Sequence, residues 1–336
     1  MIETSLQQEP VALPGRPFGR IARSVAGYSL LLGLMFVTQL FVFVPAAIFQ
    51  CAVKNGRRAA WLVTAVATAL AALYIFQLAH QPELKPGDLE ILYTALVTLV
   101  LSVAVPALAA VPLVERGESF GRVLMFSTIG STVGLFLTEA VMRSAMGFSP
   151  FAQHLVDVRR NFADGMKQAG ISAQYAQMMD KMSDVAALCL PAFVLMPMIV
   201  AFVLSLMMFA RLDRRNGIER SSTYLFRNLS LPDWVLFAFV LGGLTPLASG
   251  RLLSVTANVL AVVTFLYFLQ GLAIFRSVLA STGMSLFGVA VSFLFMGFLI
   301  LLSVAILPLS VAGLFDSFFD FRHINRKDDS HEGHSD

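Results

Sequence analysis

The chain is poor in charge: only 13% of its 336 residues are Asp, Glu, Lys or Arg, where a soluble domain has about a quarter. It has little cysteine as well. Cys51 and Cys189 both lie in or beside apolar stretches, which implies neither a disulfide framework nor a metal site. There is no glycine-rich phosphate-binding loop, so no ATPase is encoded here. No nucleophile, base and acid come together in the sequence. His80 sits at the edge of an apolar run and His154 in a polar interval, neither with a sequence-local partner. The tail carries His331 and His334, too few ligands for a specific metal centre. No catalytic residue, metal or cofactor is expected. The net charge of +3 is modest, and the basic residues sit in connections, which argues against a nucleic-acid surface.

What fills the chain instead is apolar sequence, 57% of all residues. Long apolar runs occupy about 25–52, 60–81, 89–114, 123–142, 186–210, 234–249, 252–275 and 284–315. Several reach the ~20 residues that cross a ~30 Å hydrocarbon core. The expected fold is an all-α, polytopic membrane helix bundle built from about eight runs. The first run is too long for a signal peptide, and Gln50 before Cys51 is not the small residue of a lipoprotein site, so the run is expected to be retained. Residues 1–23 read as a disordered basic arm, 24–322 as one membrane domain and 323–336 as a polar tail.

The threading follows from charge. With every run crossing once, Lys and Arg fall about evenly on both sides, although short cytoplasmic loops should hold an excess. The bias returns if 25–52 and the last run, extended to about 321, each fold back to their starting side. That gives eight to ten membrane segments and places both termini in the cytoplasm of a bacterium, at the inner membrane. Pro45 and Pro308 are where such bends are expected, since proline interrupts a helix.

The one long polar interval, about 148–185, is patterned. Phe151, Leu155, Val158, Phe162, Met166 and Ala169 recur at helical spacing. After Gly170 a second set follows: Ile171, Tyr175, Met178, Met182 and Val185. The opposite faces are almost charge-balanced, unlike a lipid-adsorbed helix rich in Lys and Arg. Two amphipathic helices resting on the membrane-embedded part are expected, as a lid or as a plain connecting hairpin.

Several polar or small residues within the runs invite a role. Gly130 and Gly134 have the spacing that lets another helix approach closely, either within the chain or in self-association. Glu139 and Arg143 are oriented for an ion pair, structural or functional. Thr264, Tyr267 and Gln270 share one helix face, with Asn258 about 120° around at 100° per residue. Such a row suits a solute path, and it suits interhelical hydrogen bonds equally. Asp316 and Asp320, near Arg322, form either a solvated acidic face or a dock for Arg211, Arg214 and Arg215.

Three passages carry a family resemblance: Asn228-Leu-Ser-Leu-Pro232-Asp-Trp234; Asn258 followed by Leu266-Tyr-Phe-Leu-Gln270-Gly271; and Gly313-Leu-Phe-Asp316-Ser-Phe-Phe-Asp320-Phe-Arg322. In this order and spacing they resemble the YybS-like bacterial membrane proteins, a family of unknown function, over about residues 17–327. More distantly the pattern is similar to the substrate-binding membrane components of energy-coupling-factor vitamin transporters, and to a rod-shape cell-envelope group. The first implies a solute-binding or transport component without its own energy source, served by a separate energising protein. The second implies a scaffold or regulator for envelope partners. The lipid bilayer is a partner under both.

Overall fold

The computed structural model describes residues 18–81, 86–168, 184–185, 187–215, 223–281, 284–301 and 303–319, all helix, turn or connection with no strand among them. Five of the apolar runs are continuous helices long enough to span a membrane. They are α3 (Arg57–Leu78), α4 and α5 (Pro86–Leu99 and Val105–Glu115, joined through a π-helical turn, Val100–Ala104), α6 (Phe120–Met146), α8 (Leu190–Arg215) and α10 (Gly250–Ser281). Between α6 and α8 lies α7 (Pro150–Gln168). The other three runs, 25–52, 234–249 and 284–315, are broken, and each break has a local cause.

The first run makes α1 (Phe18–Val37) and α2 (Val44–Asn55). Helix α1 starts inside the stretch read as a disordered arm, so Arg20 and Arg23 are helical. Thr38 ends α1 and caps a 3-10 turn, Gln39–Phe43, by accepting from the Leu40 N–H. Pro45 stands at the start of α2, where its missing N–H costs nothing and its fixed φ suits a helix. The proline therefore begins the second helix rather than bending the first. Asn55 at the end of α2 donates to Ser24 near the start of α1 (3.0 Å), so the run returns to the side it left. At 12 residues, α2 is about 18 Å long, too short to cross. It is buried from Val44 to Ala52, as a re-entrant segment must be. Gln50 reaches the Phe209 carbonyl (3.4 Å) and Ser205 donates to the Val42 carbonyl (2.8 Å), tying the hairpin to α8.

The run 234–249 makes only α9 (Val235–Gly243) and a 3-10 turn, Thr245–Leu247. Gly242 lets α9 close on α10, because a side chain there would come within 2.8 Å of the Leu260 backbone. The last run makes α11 (Leu286–Leu301) and α12 (Ile306–Phe319), bent by 111°. Ser303, with φ 61°, lies at this bend. Pro308 falls in the first turn of α12 instead.

Side-chain contacts show which ends lie together. Arg57 at the start of α3 pairs with Glu115 at the end of α5. Gly121 at the start of α6 abuts the Ser230 carbonyl. Phe120, Tyr224 and Phe209 pack ring on ring, 6.2 Å and 6.0 Å apart. One end of the bundle therefore gathers Arg23, Lys54, Arg57, Arg58, Arg116, Arg122, Arg211 and Arg227. The opposite end holds the close of α3, the close of α6, α7 and the start of α8. Between them, Gly130 and Gly134 of α6 face Pro106 and the π turn. A Cβ at Gly134 would meet the Leu101 carbonyl at 2.1 Å. The glycine pair thus serves packing within the chain. The π turn precedes Pro106, which cannot donate to the Ser102 carbonyl four residues back and crowds it; the ladder widens there instead.

Candidate functional site

Away from the basic end, an apolar cavity of about 560 Å³ lies between the close of α1, the close of α3, the wall of α4 and the first turns of α7. Phe36, Phe41, Tyr74, Leu99 and Phe148 supply much of its surface, with Met198 from α8. Its polar side chains come mainly from α4 and α7, with Thr38 and Tyr74 besides. On α4, Glu90, Thr94 and Thr98 stand four apart and so share a face. The Thr94 hydroxyl donates to the Glu90 carbonyl (2.7 Å), which leaves its oxygen able to accept. On α7, Gln153, His154 and Asp157 face the same space. A mostly apolar hollow with a few polar groups, of several hundred Å³, has the character of a small-molecule site. The π turn lies beside it, since Val103 also lines the cavity.

What holds α7 over this space is the close of α6. Gly147, with φ 73°, ends α6 in a left-handed cap. Two residues on, Ser149 accepts from the Ala152 N–H (3.1 Å), the N-cap arrangement. Glu139 of α6 accepts from the Phe151 N–H (3.2 Å), from Ser149 and from Arg143 (2.6 Å). One carboxylate thus pairs with Arg143 and sits at the N-terminus of α7, where negative charge is favoured. Phe151 meets Phe136 edge-on at 6.4 Å. Phe151, Leu155 and Val158 are half-buried while Arg159 and Arg160 are exposed, which is the amphipathic pattern expected. Arg159 also pairs with Asp184 (2.9 Å) at the far end of the interval. Residues 169–183, including the second expected helix, lie outside the described residues.

The row on α10 is engaged differently. Gln270 is completely buried; its oxygen accepts from the Leu231 N–H and its nitrogen donates to Asp316, both at 3.0 Å. Tyr267, also buried, hydrogen-bonds Ser317. Asn258 accepts from the Ala192 N–H (2.8 Å) and donates to the Leu188 and Ser254 carbonyls (2.8 and 2.7 Å), capping the start of α8 from a neighbouring helix. Thr264 is half-buried. None of the four lines the cavity beneath α7. Around Gln270, α10 and α12 touch backbone to backbone: a Cβ at Gly271 would meet the Leu309 carbonyl at 1.9 Å, and one at Gly313 the Tyr267 carbonyl at 2.0 Å. Asp316 meets α10 through Gln270 and Arg211 is exposed; the side chains of Arg214 and Arg215, and residues Asp320 and Arg322, lie outside the described residues. Glu90, Thr94 and Thr98 are not singled out by the sequence because 89–114 registers as one apolar run. Their four-residue spacing is the available signal.

Over residues 28–317 the chain matches the family described as "Predicted membrane protein (DUF2232)". It belongs to that family. No curated protein and no solved structure matches it. The match covers the hairpin from Tyr28 onward, every spanning helix and α12 as far as Ser317, so the cavity and the α10–α12 contact both lie inside the family's extent.

Proposed function

We propose that this DUF2232 protein is a binding component of the bacterial cytoplasmic membrane that holds an amphipathic small molecule in the cavity beneath α7. The observation that carries the reading is the cavity itself: apolar walls from three membrane helices, a short polar row on α4, and a roof fixed by Glu139. In transport the protein would depend on a separate energising partner, since the chain encodes no nucleotide-binding element. The excess of Lys and Arg in short connections at one end supports placing that end, and the N-terminus with it, in the cytoplasm; both termini are then on that side and the cavity faces outward. Alkaline phosphatase fused after Gln168 is expected to be active. Mass spectrometry of the protein purified in nanodiscs is expected to find a bound small molecule, and Ala95→Trp, which fills the cavity from α4, is expected to lose it. Retention of that molecule by a folded Ala95→Trp protein would overturn the reading.

A second reading, a scaffold without transport, is favoured by α11. It leaves Leu294, Phe295, Phe298 and Leu301 exposed. Pull-down of one envelope protein, lost when α11 is changed and kept when the cavity is filled, would favour it.

A further inference from the structure

The cavity's lining also specifies the charge of its occupant, an inference that rests on the binding reading above. Its two carboxylates come from separate helices, Glu90 of α4 and Asp157 of α7, and no lysine or arginine lines it among the described residues. Beside them stand four aromatic rings, Phe36, Phe41, Tyr74 and Phe148. Aromatic faces attract cations through the ring quadrupole, most strongly where water is excluded. The carboxylates of Glu90 and Asp157, both exposed at its mouth, do the same through charge, and they oppose an anion of the same shape. An apolar anion would find walls that suit its body but, among the described residues, no Lys or Arg for its charge and only His154 as a titratable base.

We propose that the cavity binds a lipophilic organic cation: an apolar body seated against the rings and the aliphatic wall, with its positive centre between Glu90 and Asp157. Docking from the aqueous side opposite the basic end agrees with the position of Asp157 and His154 on α7. A solute is distinguished from the ammonium headgroup of a bilayer lipid by working in nanodiscs made only of anionic phosphatidylglycerol, which has no amine.

The test uses two ions of matched shape and opposite charge, tetraphenylphosphonium and tetraphenylborate. Each is measured by equilibrium dialysis against full-length protein in such nanodiscs, with empty nanodiscs subtracted. The wild type is expected to bind the phosphonium at least tenfold more tightly than the borate. Glu90→Gln with Asp157→Asn is expected to weaken the phosphonium at least tenfold and to leave the borate no weaker. Equal binding of both ions, no saturable phosphonium binding, or unchanged affinity in the doubly neutralised protein would each overturn the charge assignment. Ala95→Trp separates the two levels. If it abolishes binding of both ions while they bind the wild type equally, the cavity stands and the charge assignment falls. If it changes neither, the cavity is not the site and both fall.

Discussion

Two sets of polar side chains lie inside the apolar bundle, and they differ in what they face. On α10, Gln270 and Asn258 spend both ends of their amides on protein groups, and Tyr267 meets Ser317. On α4, Glu90, Thr94 and Thr98 face open space. A polar residue in a membrane helix is a functional candidate by default, yet the contrast shows that the default depends on partners. A side chain whose partners are already in the protein holds helices together. One that faces a cavity has its capacity available to a ligand.

The contrast is most exposed to challenge at the crossing of α10 and α12. Gly271→Ala forces a methyl group against the Leu309 carbonyl and should cost roughly 3 kcal/mol of stability, since neither backbone can move aside cheaply. Thermal unfolding in detergent measures this, and a change within error would mean the α10–α12 crossing is looser than described. Gln270→Leu leaves Asp316 and the Leu231 N–H without their amide and should cost about 1–3 kcal/mol. Ligand content per folded molecule should stay at the wild-type level.

Smaller effects are expected on the cavity side. Glu139→Gln weakens the Arg143 pair and the cap of α7 and is expected to cost about 1 kcal/mol. The clearer readout is limited proteolysis, with cleavage in α7 several-fold faster than in the wild type. Thr98→Val keeps the shape of the α4 wall, so stability should move by less than about 0.5 kcal/mol while ligand retention falls. Asp184→Ala, which removes an exposed pair with Arg159, should change stability by only about 0–1 kcal/mol.

The general architecture was legible because apolar runs of spanning length are a direct consequence of bilayer thickness. The return of 25–52 was legible from the placement of Lys54, Arg57 and Arg58 near Arg20 and Arg23. The location of each bend was not. Pro45 and Pro308 mark the starts of α2 and α12, and the chain turns a few residues earlier, at Thr38 to Phe43 and near Ser303. Val44 and Leu307, the residues before these prolines, are already helical, and a proline in the first turn has no intrahelical N–H bond to lose, so it starts a helix without bending it. The run 234–249 looked long enough to count as a span because hydropathy does not register the Gly242-Gly243-Leu-Thr-Pro246 break. The polar row on α10 showed its periodicity but not its partners, because Leu231, Asp316 and Ala192 are distant in sequence and periodicity carries no tertiary information. Glu139 was legible as half of a pair with Arg143. Its second task, holding α7, required the turn at Gly147 to bring Ser149 and Phe151 back to it.

Whether the space beneath α7 or the row on α10 receives the ligand is tested most directly by photo-crosslinking. The residue p-benzoylphenylalanine is placed at position 98 in one protein and at position 267 in another, and intact mass is measured after irradiation of cells. A small-molecule adduct is expected at 98 and none at 267. An adduct at 267 with none at 98 would contradict binding beneath α7 and return the site to α10.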